Sequence, residues 1–297
     1  MGGRELAPLP HPPPAVRRRR PDRVRHGPSD PTPPPRSRLV SPPSARTRPL
    51  RRIVPSSAQV RLTVTSLDAV TDIPVTRTLD QAAEVAFEHC PPIRRIPHYI
   101  GQKHTPGWFW SATTSTLLGY ESYLESQWLT LYDFDKDIVG ISTQSLIFDG
   151  VGVGEVWEHT PDVFCRRSDG TALLVDVKNP RLLGHPDVLL QARRTREACE
   201  ELGWDYHLVG DVEAQRFANI SWLAGYRRPL YAGADLADRL IALAERPVAA
   251  EQLLSFMDEP DLAFPVLCHL LWHHRLICNL DAPLRASTAI TAAKDLS

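Results

Sequence analysis

The sequence has no apolar run approaching the length of about 20 residues that a helix needs to cross a bilayer, so no membrane span is expected. Its opening residues lack the apolar core of a signal peptide, and their prolines argue against an amphipathic transit helix. Cysteine is scarce and not paired in pattern: Cys90, Cys165, Cys199, Cys268 and Cys278 are odd in number and include no CxxC. That argues against a disulfide framework and makes reduced thiols in the cytoplasm the expectation. The one zinc-like interval, Cys268, His273 and Cys278 in CHLLWHHRLIC, lies in a helical pattern that explains Cys268 as core. No internal repeat is evident.

Lysine is missing altogether from the first 55 residues, which nonetheless hold 13 of the 34 basic residues, all arginine, and 15 of the 28 prolines. Only three of the 35 acids, Glu5, Asp22 and Asp30, accompany them. This stretch is therefore near +10, and the remainder, with 21 basic and 32 acidic residues, is near −11. Segments such as HPPPAVRRRRPDRVRHG cannot bury enough apolar surface to offset the entropy of ordering. Residues 1–57 are expected to be a disordered tail, either a polybasic arm for nucleic acid phosphates or a dispensable extension.

At 297 residues the chain can hold one large or two ordinary domains. Residues 58–112 mix a possible strand, VRLTVTSL, with a possible short helix, TLDQAAEVAFEHC, and are expected to be a lead-in layer on the main domain at 113–232. In that domain STLLGYESYLESQWLTLYD fits a helix from Ser115 to Asp133, with Glu121 and Glu125 inside its apolar stripe. IVGISTQSLIF reads as one strand, broken after it by Asp149-Gly150. HPDVLLQARRTREACEELGW reads as a helix burying Leu189, Ala192, Cys199 and Leu202 and ending at Gly203, and DYHLVGD follows as a strand. The order implies an α/β fold, a mixed sheet flanked by helices. From 233 to 297, three helices and a hairpin suggest a winged-helix-like domain for DNA or a protein partner.

One stretch does not fit a simple buried hairpin. HTPDVFCRRSDGTALLVDVKNP, His159 to Pro180, carries Asp162, Asp176 and Lys178 on otherwise apolar strands, where an unpaired charge costs several kcal/mol. A three-residue loop, Ser168 to Gly170, pairs Arg167 with Thr171 and places Asp162 opposite Asp176, while alternation puts Lys178 on the Asp176 face. Two carboxylates this close repel unless a cation lies between them. Mg²⁺ suits such oxygens, with Mn²⁺ expected to substitute, and the Val177 carbonyl is available beside them. Lys178 would orient an attacking water or stabilise an oxyanion. The plainer alternative is that Asp162 simply pairs with Lys178.

A helix glutamate, then Pro-Asp, then Asp-x-Lys resembles the PD-(D/E)xK nuclease pattern. More narrowly, YESYLESQWLTLYDFDKDIVGISTQ, HTPDVFCRRSDGTALLVDVKNP and CEELGWDYHLVGD together resemble TnsA-type endonuclease subunits of heteromeric transposases, over residues 115 to 230. The resemblance implies a restriction-endonuclease-like fold and metal-dependent nicking at the 5′ ends of a transposon. It also implies double-stranded DNA, a transposase subunit and an ATP-dependent regulator as partners. It assigns catalysis to Glu125, Asp162, Asp176 and Lys178, and the metal to Glu125, Asp162, Asp176 and Val177. Ser122-Tyr-Leu-Glu125 matches the family's Ser-x-x-Glu; Glu121 competes for that place, and Gln144 follows at the expected distance. A body near −11 would bind DNA weakly alone, which favours delivery by a partner. A free-standing nuclease of restriction or resolvase type, and an inactive DNA or protein adaptor, are the rival readings.

Overall fold

The SDG turn fixes the centre of the fold. In the computed structural model, β8 (Val163–Arg167) pairs antiparallel with β9 (Ala172–Val177), Val163 opposite Val175 and Arg166 opposite Ala172, the register set by a three-residue loop. Gly170 closes that loop at φ +86, a left-handed conformation open to glycine at no steric cost. The structure describes residues 61–94, 105–152, 155–230 and 233–294, all within one compact unit, Arg51–Ser297. The Pro/Arg-rich tail lies outside the described residues.

Before this hairpin come β1 (Arg61–Leu67), β2 (Pro74–Thr78), α1 (Leu79–Ala83), β3 (Gly107–Trp110), β4 (Leu117–Tyr120), α2 (Tyr123–Phe134), β5 (Ile138–Thr143), β6 (Leu146–Gly152) and β7 (Glu155–His159). After it come α3 (Pro186–Leu202), β10 (Asp205–Val209) and α4 (Ala214–Leu223). The central sheet runs β10-β9-β8-β5, mixed because β10 is parallel to β9 while the other pairs are antiparallel. The parallel step needs a crossover, which α3 supplies. A separate antiparallel sheet runs β2-β1-β6-β7, and β3 and β4 form a two-stranded ribbon.

Both faces of the central sheet are covered, so its strands are apolar on both sides. Leu173, Val175 and Val177 pack with Leu129 and Tyr132 of α2 and with Phe109 and Leu118 of the ribbon. Leu174 and Phe164 pack on the other face with Ala192, Ala198 and Cys199 of α3 and with Val64 and Phe148 of the outer sheet. A third core joins Phe134 and the α4 residues Ile220 and Leu223 to the C-terminal elements. These are α5 (Ala234–Leu243), β11 (Val248–Ala249), α6 (Ala250–Ser255), α7 (Pro260–Trp272), β12 (Leu276–Cys278) and β13 (Ala289–Ala292), with strand order β11-β13-β12. All five cysteines are free, and among the described residues no helix is long and apolar enough to cross a membrane.

Four expectations are corrected. The helix expected from Ser115 begins only at Tyr123, because Leu117–Tyr120 is drawn into β4 against β3 and Ser122 caps the helix. Glu121 therefore precedes the helix. IVGISTQSLIF is two strands in different sheets, separated at Gln144, whose φ is +50. Asp149-Gly150 is no break: β6 continues through both, and Gly150 lies under the Trp157 indole. Leu189 on α3 is 50% exposed, and the buried face is instead Ala192, Thr195, Ala198, Cys199 and Leu202.

The two glycines separate two kinds of cost. Gly150→Ala should destabilise by about 1–3 kcal/mol, because a methyl group there meets the Trp157 ring. Gly170→Ala, with open space around it, should cost about 1 kcal/mol through its positive φ alone. Urea denaturation of both variants checks the difference.

Candidate active site

Beyond Val163 the β8–β9 ladder changes character. The Asp162 N–H donates to the Val175 carbonyl at 3.1 Å, and the Asp162 side chain reaches across so that Oδ2 accepts the Val177 N–H at 2.7 Å. The same oxygen accepts from Lys178 Nζ at 3.1 Å, and Nζ also lies 3.4 Å from the Val177 carbonyl oxygen. Asp162, Val177 and Lys178 thus meet, and the Asp162–Lys178 ion pair of the plainer alternative is present, whereas Asp176, expected to converge with Asp162 and Lys178, takes its hydrogen bonds from other residues. Lys178 itself sits where β9 leaves the sheet, its N–H bonded to the Val209 carbonyl at 2.9 Å.

Asp176 shares the face of Ala172 and Leu174, toward α3. It is 2% exposed. Its Oδ2 accepts from Tyr206 Oη at 2.6 Å and is bonded to His159 Nε2 at 2.7 Å, whereas Oδ1, also buried, has no hydrogen-bond partner among the described residues. His159 in turn is bonded through Nδ1 to Gln191 of α3.

Glu125 is brought in by the start of α2. Ser122 Oγ accepts the Glu125 N–H at 3.2 Å and donates to Glu125 Oε1 at 2.9 Å, while Oε2 accepts the Glu121 N–H at 2.8 Å. This is a variant of the capping box, with the glutamate satisfying an amide just before the cap. Glu121 turns instead to Arg94, 3.1 Å away. Arg94 Nε also donates to Gln144 Oε1 at 3.0 Å, and the Gln144 N–H donates to the Asp162 carbonyl at 3.2 Å. The Gln144 Nε2 is buried and without a partner among the described residues.

The acids do not titrate alike. Burial raises Asp162, with Asp176 adding to the rise and Lys178 and the Val177 N–H opposing it. Burial acts on Asp176 too, but His159, Lys178 and the Tyr206 hydroxyl outweigh it and hold that carboxyl below its ordinary value. Burial, then the charge of Asp162, pushes Glu125 up to about 7. Burial lowers Lys178, but Asp162 and Asp176 more than compensate and raise it overall.

Among the described residues, no three His, Cys, Asp or Glu side chains gather tightly enough to hold a metal ion by themselves, at this site or at Cys268, His273 and Cys278. Mg²⁺ needs fewer, because it keeps several waters and takes one or two carboxylates. The carboxylates available to such an ion at the end of β9 are Asp162 and Asp176, the latter with its orphaned Oδ1. Both Glu125 oxygens are engaged in its own cap.

His159 and Tyr206 were not singled out from the sequence. A signal for Tyr206 existed: the parallel register places it beside Leu174, on the Asp176 face. His159 comes from the outer sheet, and no local pattern reveals that contact. A search with protein-family models gives no match to this chain, and a search of curated proteins gives none either.

Glu125 carries a pH signature. Its carboxyl binds a proton more tightly folded than unfolded, so its contribution to stability is fully present below its ordinary value of 4.5 and is lost as pH rises through about 7. Glu125→Gln, which keeps a side chain able to bond within the cap, should therefore be more stable than wild type at about pH 8 by on the order of 1–3 kcal/mol. The difference should shrink toward pH 4.5, as checked by urea denaturation at both ends of the range.

Proposed function

We propose that this chain is a metal-dependent DNA endonuclease, the TnsA-type subunit of a heteromeric transposase that hydrolyses phosphodiester bonds at the 5′ ends of the transposon. One observation carries the reading. Asp162 and Asp176 flank the carboxyl end of β9, with Lys178 on Asp162 and a buried, unpartnered oxygen on Asp176. In this reading the mixed central sheet with α2 and α3 is a restriction-endonuclease-like fold. The C-terminal elements, three helices and a sheet of order β11-β13-β12, form a winged-helix module for DNA or the transposase. The surplus of acids outside the tail supports delivery to DNA by partners, the transposase and an ATP-dependent regulator, over free-standing cleavage.

Asp162, Asp176, the Val177 carbonyl and Glu125 would hold Mg²⁺ or Mn²⁺. The ion supplies a bound water of lowered pKa and positive charge at the phosphoryl oxygens. Lys178, anchored on Asp162, directs its remaining N–H groups at the attacking water or a non-bridging oxygen. Glu125 would join the ion by giving up its cap bonds to Ser122 and the Glu121 N–H, and the proton that the water loses passes to solvent. The water oxygen bonds to phosphorus, one P–O ester bond breaks, and the departing oxygen collects a proton from solvent.

A second reading has its own support: Glu125 is committed to a helix cap and Lys178 to an ion pair, as in an inactive core retained as an adaptor. Nicking assays with the full-length protein, its transposase partner and transposon-end DNA decide between them. Asp162→Asn retains an acceptor for the Val177 N–H yet removes the charge, and should lower Mg²⁺-dependent nicking by at least about 100-fold. Unchanged nicking in that variant would sink the site assignment. Metal-dependent nicking by the wild type excludes the adaptor, and efficient cleavage of plain DNA by the isolated chain would favour a free-standing nuclease.

A further inference from the structure

We propose that His159 and Tyr206 are positioning residues that fix Asp176 through Oδ2 alone and so present Oδ1 to a divalent cation. This rests on Asp162 and Asp176 forming a cation site. Two donors from two different strands converge on a single carboxylate oxygen, His159 Nε2 from β7 at 2.7 Å and Tyr206 Oη from β10 at 2.6 Å. The second oxygen, also buried, receives no hydrogen bond among the described residues. A buried carboxylate oxygen without a donor is costly, so a carboxylate serving only the core would be expected to share its donors between both oxygens.

The donors are themselves held. His159 is 5% exposed, and Gln191 of α3 bonds its Nδ1. With the Gln191 amide donating to Nδ1, the ring proton lies on Nε2 and is given to Asp176. The Tyr206 ring is packed in the core shared with α3 and lies under the Arg196 guanidinium, 5.5 Å from centroid to carbon. The carboxylate plane is thus set from β7, β10 and α3 at once, the kind of outer support that metal-binding carboxylates require. It also ties the outer sheet, through its edge strand β7, to the end of β9.

Mn²⁺ alone, titrated into the full-length protein by calorimetry, tests the assignment. Tyr206→Phe keeps the packed ring and deletes one donor; His159→Asn deletes the other; Gln191→Ala releases His159 from outside. Each variant that melts within a few degrees of wild type should bind Mn²⁺ about tenfold more weakly. Residues that only stabilised the fold would lower the melting temperature and leave Mn²⁺ affinity unmoved. Wild-type affinity in the folded Tyr206→Phe and His159→Asn proteins, with binding lost in Asp162→Asn, overturns the positioning role and leaves the site standing. No Mn²⁺ binding by wild type, or binding untouched by Asp162→Asn, overturns the cation site and the positioning role together.

Discussion

Asp162 completes the β8–β9 hairpin with its side chain. Where the ladder stops, the Val177 N–H would be a buried donor with no partner, and Asp162 Oδ2 takes it at 2.7 Å. That bond fixes the acid against the end of β9, brings Lys178 onto the same oxygen, and sets the spacing to Asp176 across the hairpin. Asp162 and Lys178, unusual as sequence, therefore have a structural place at the end of β9 before any chemistry is considered. A substitution that deletes the acceptor as well as the charge would disturb both, which is why an amide is the informative replacement.

Three buried carboxylates share one lysine, and their environments drive them apart. Asp176 has two strong donors and stays ionised; Asp162 is raised by burial and by Asp176; Glu125 is raised to about 7. Acids separated in this way by local surroundings are a common feature of sites that move protons, though structural ion-pair networks also produce it. Here the separation has an identifiable origin. It depends on which residues face each acid: His159 and Tyr206 for Asp176, Lys178 for Asp162, and only a hydroxyl and an amide for Glu125.

The hairpin was legible because its register depends on a local device: a three-residue turn with glycine in the left-handed region fixes every pair back to Val163 opposite Val175. Likewise α3 is bounded by local signals, a proline at its start and Gly203 at its end. The errors arose where tertiary pairing overrides a local pattern. Leu117 and Tyr120 keep helical spacing with Leu124 and Trp128, yet β3 offers the first of them a ladder, and the polar Ser122 then caps a shorter helix. IVGISTQSLIF has continuous β character, and nothing in its composition shows that Gln144 turns the chain from one sheet to another. Asp162, Asp176 and Lys178 could be found from alternation within one hairpin, whereas His159 meets Asp176, and Gln191 meets His159, only through the packing of a second sheet and a helix.

The same packing bears on how a phosphodiester would approach. Outside the tail the chain is near −11, and Asp162, Asp176 and Glu125 surround the lysine at the end of β9, so this end of the sheet offers an anionic backbone little net positive charge. Lys178 cannot reverse this, because its charge is already spent on Asp162 at 3.1 Å. Under the proposed function, the positive charge that relieves repulsion between Asp162 and Asp176 is the same charge that admits the phosphate, so substrate entry and cation binding are coupled by electrostatics. Affinity for DNA then has to come from elsewhere, from the partner or from the arginines of the tail. Under the same proposal, a site with so little positive charge of its own would depend on delivery to its DNA by a partner.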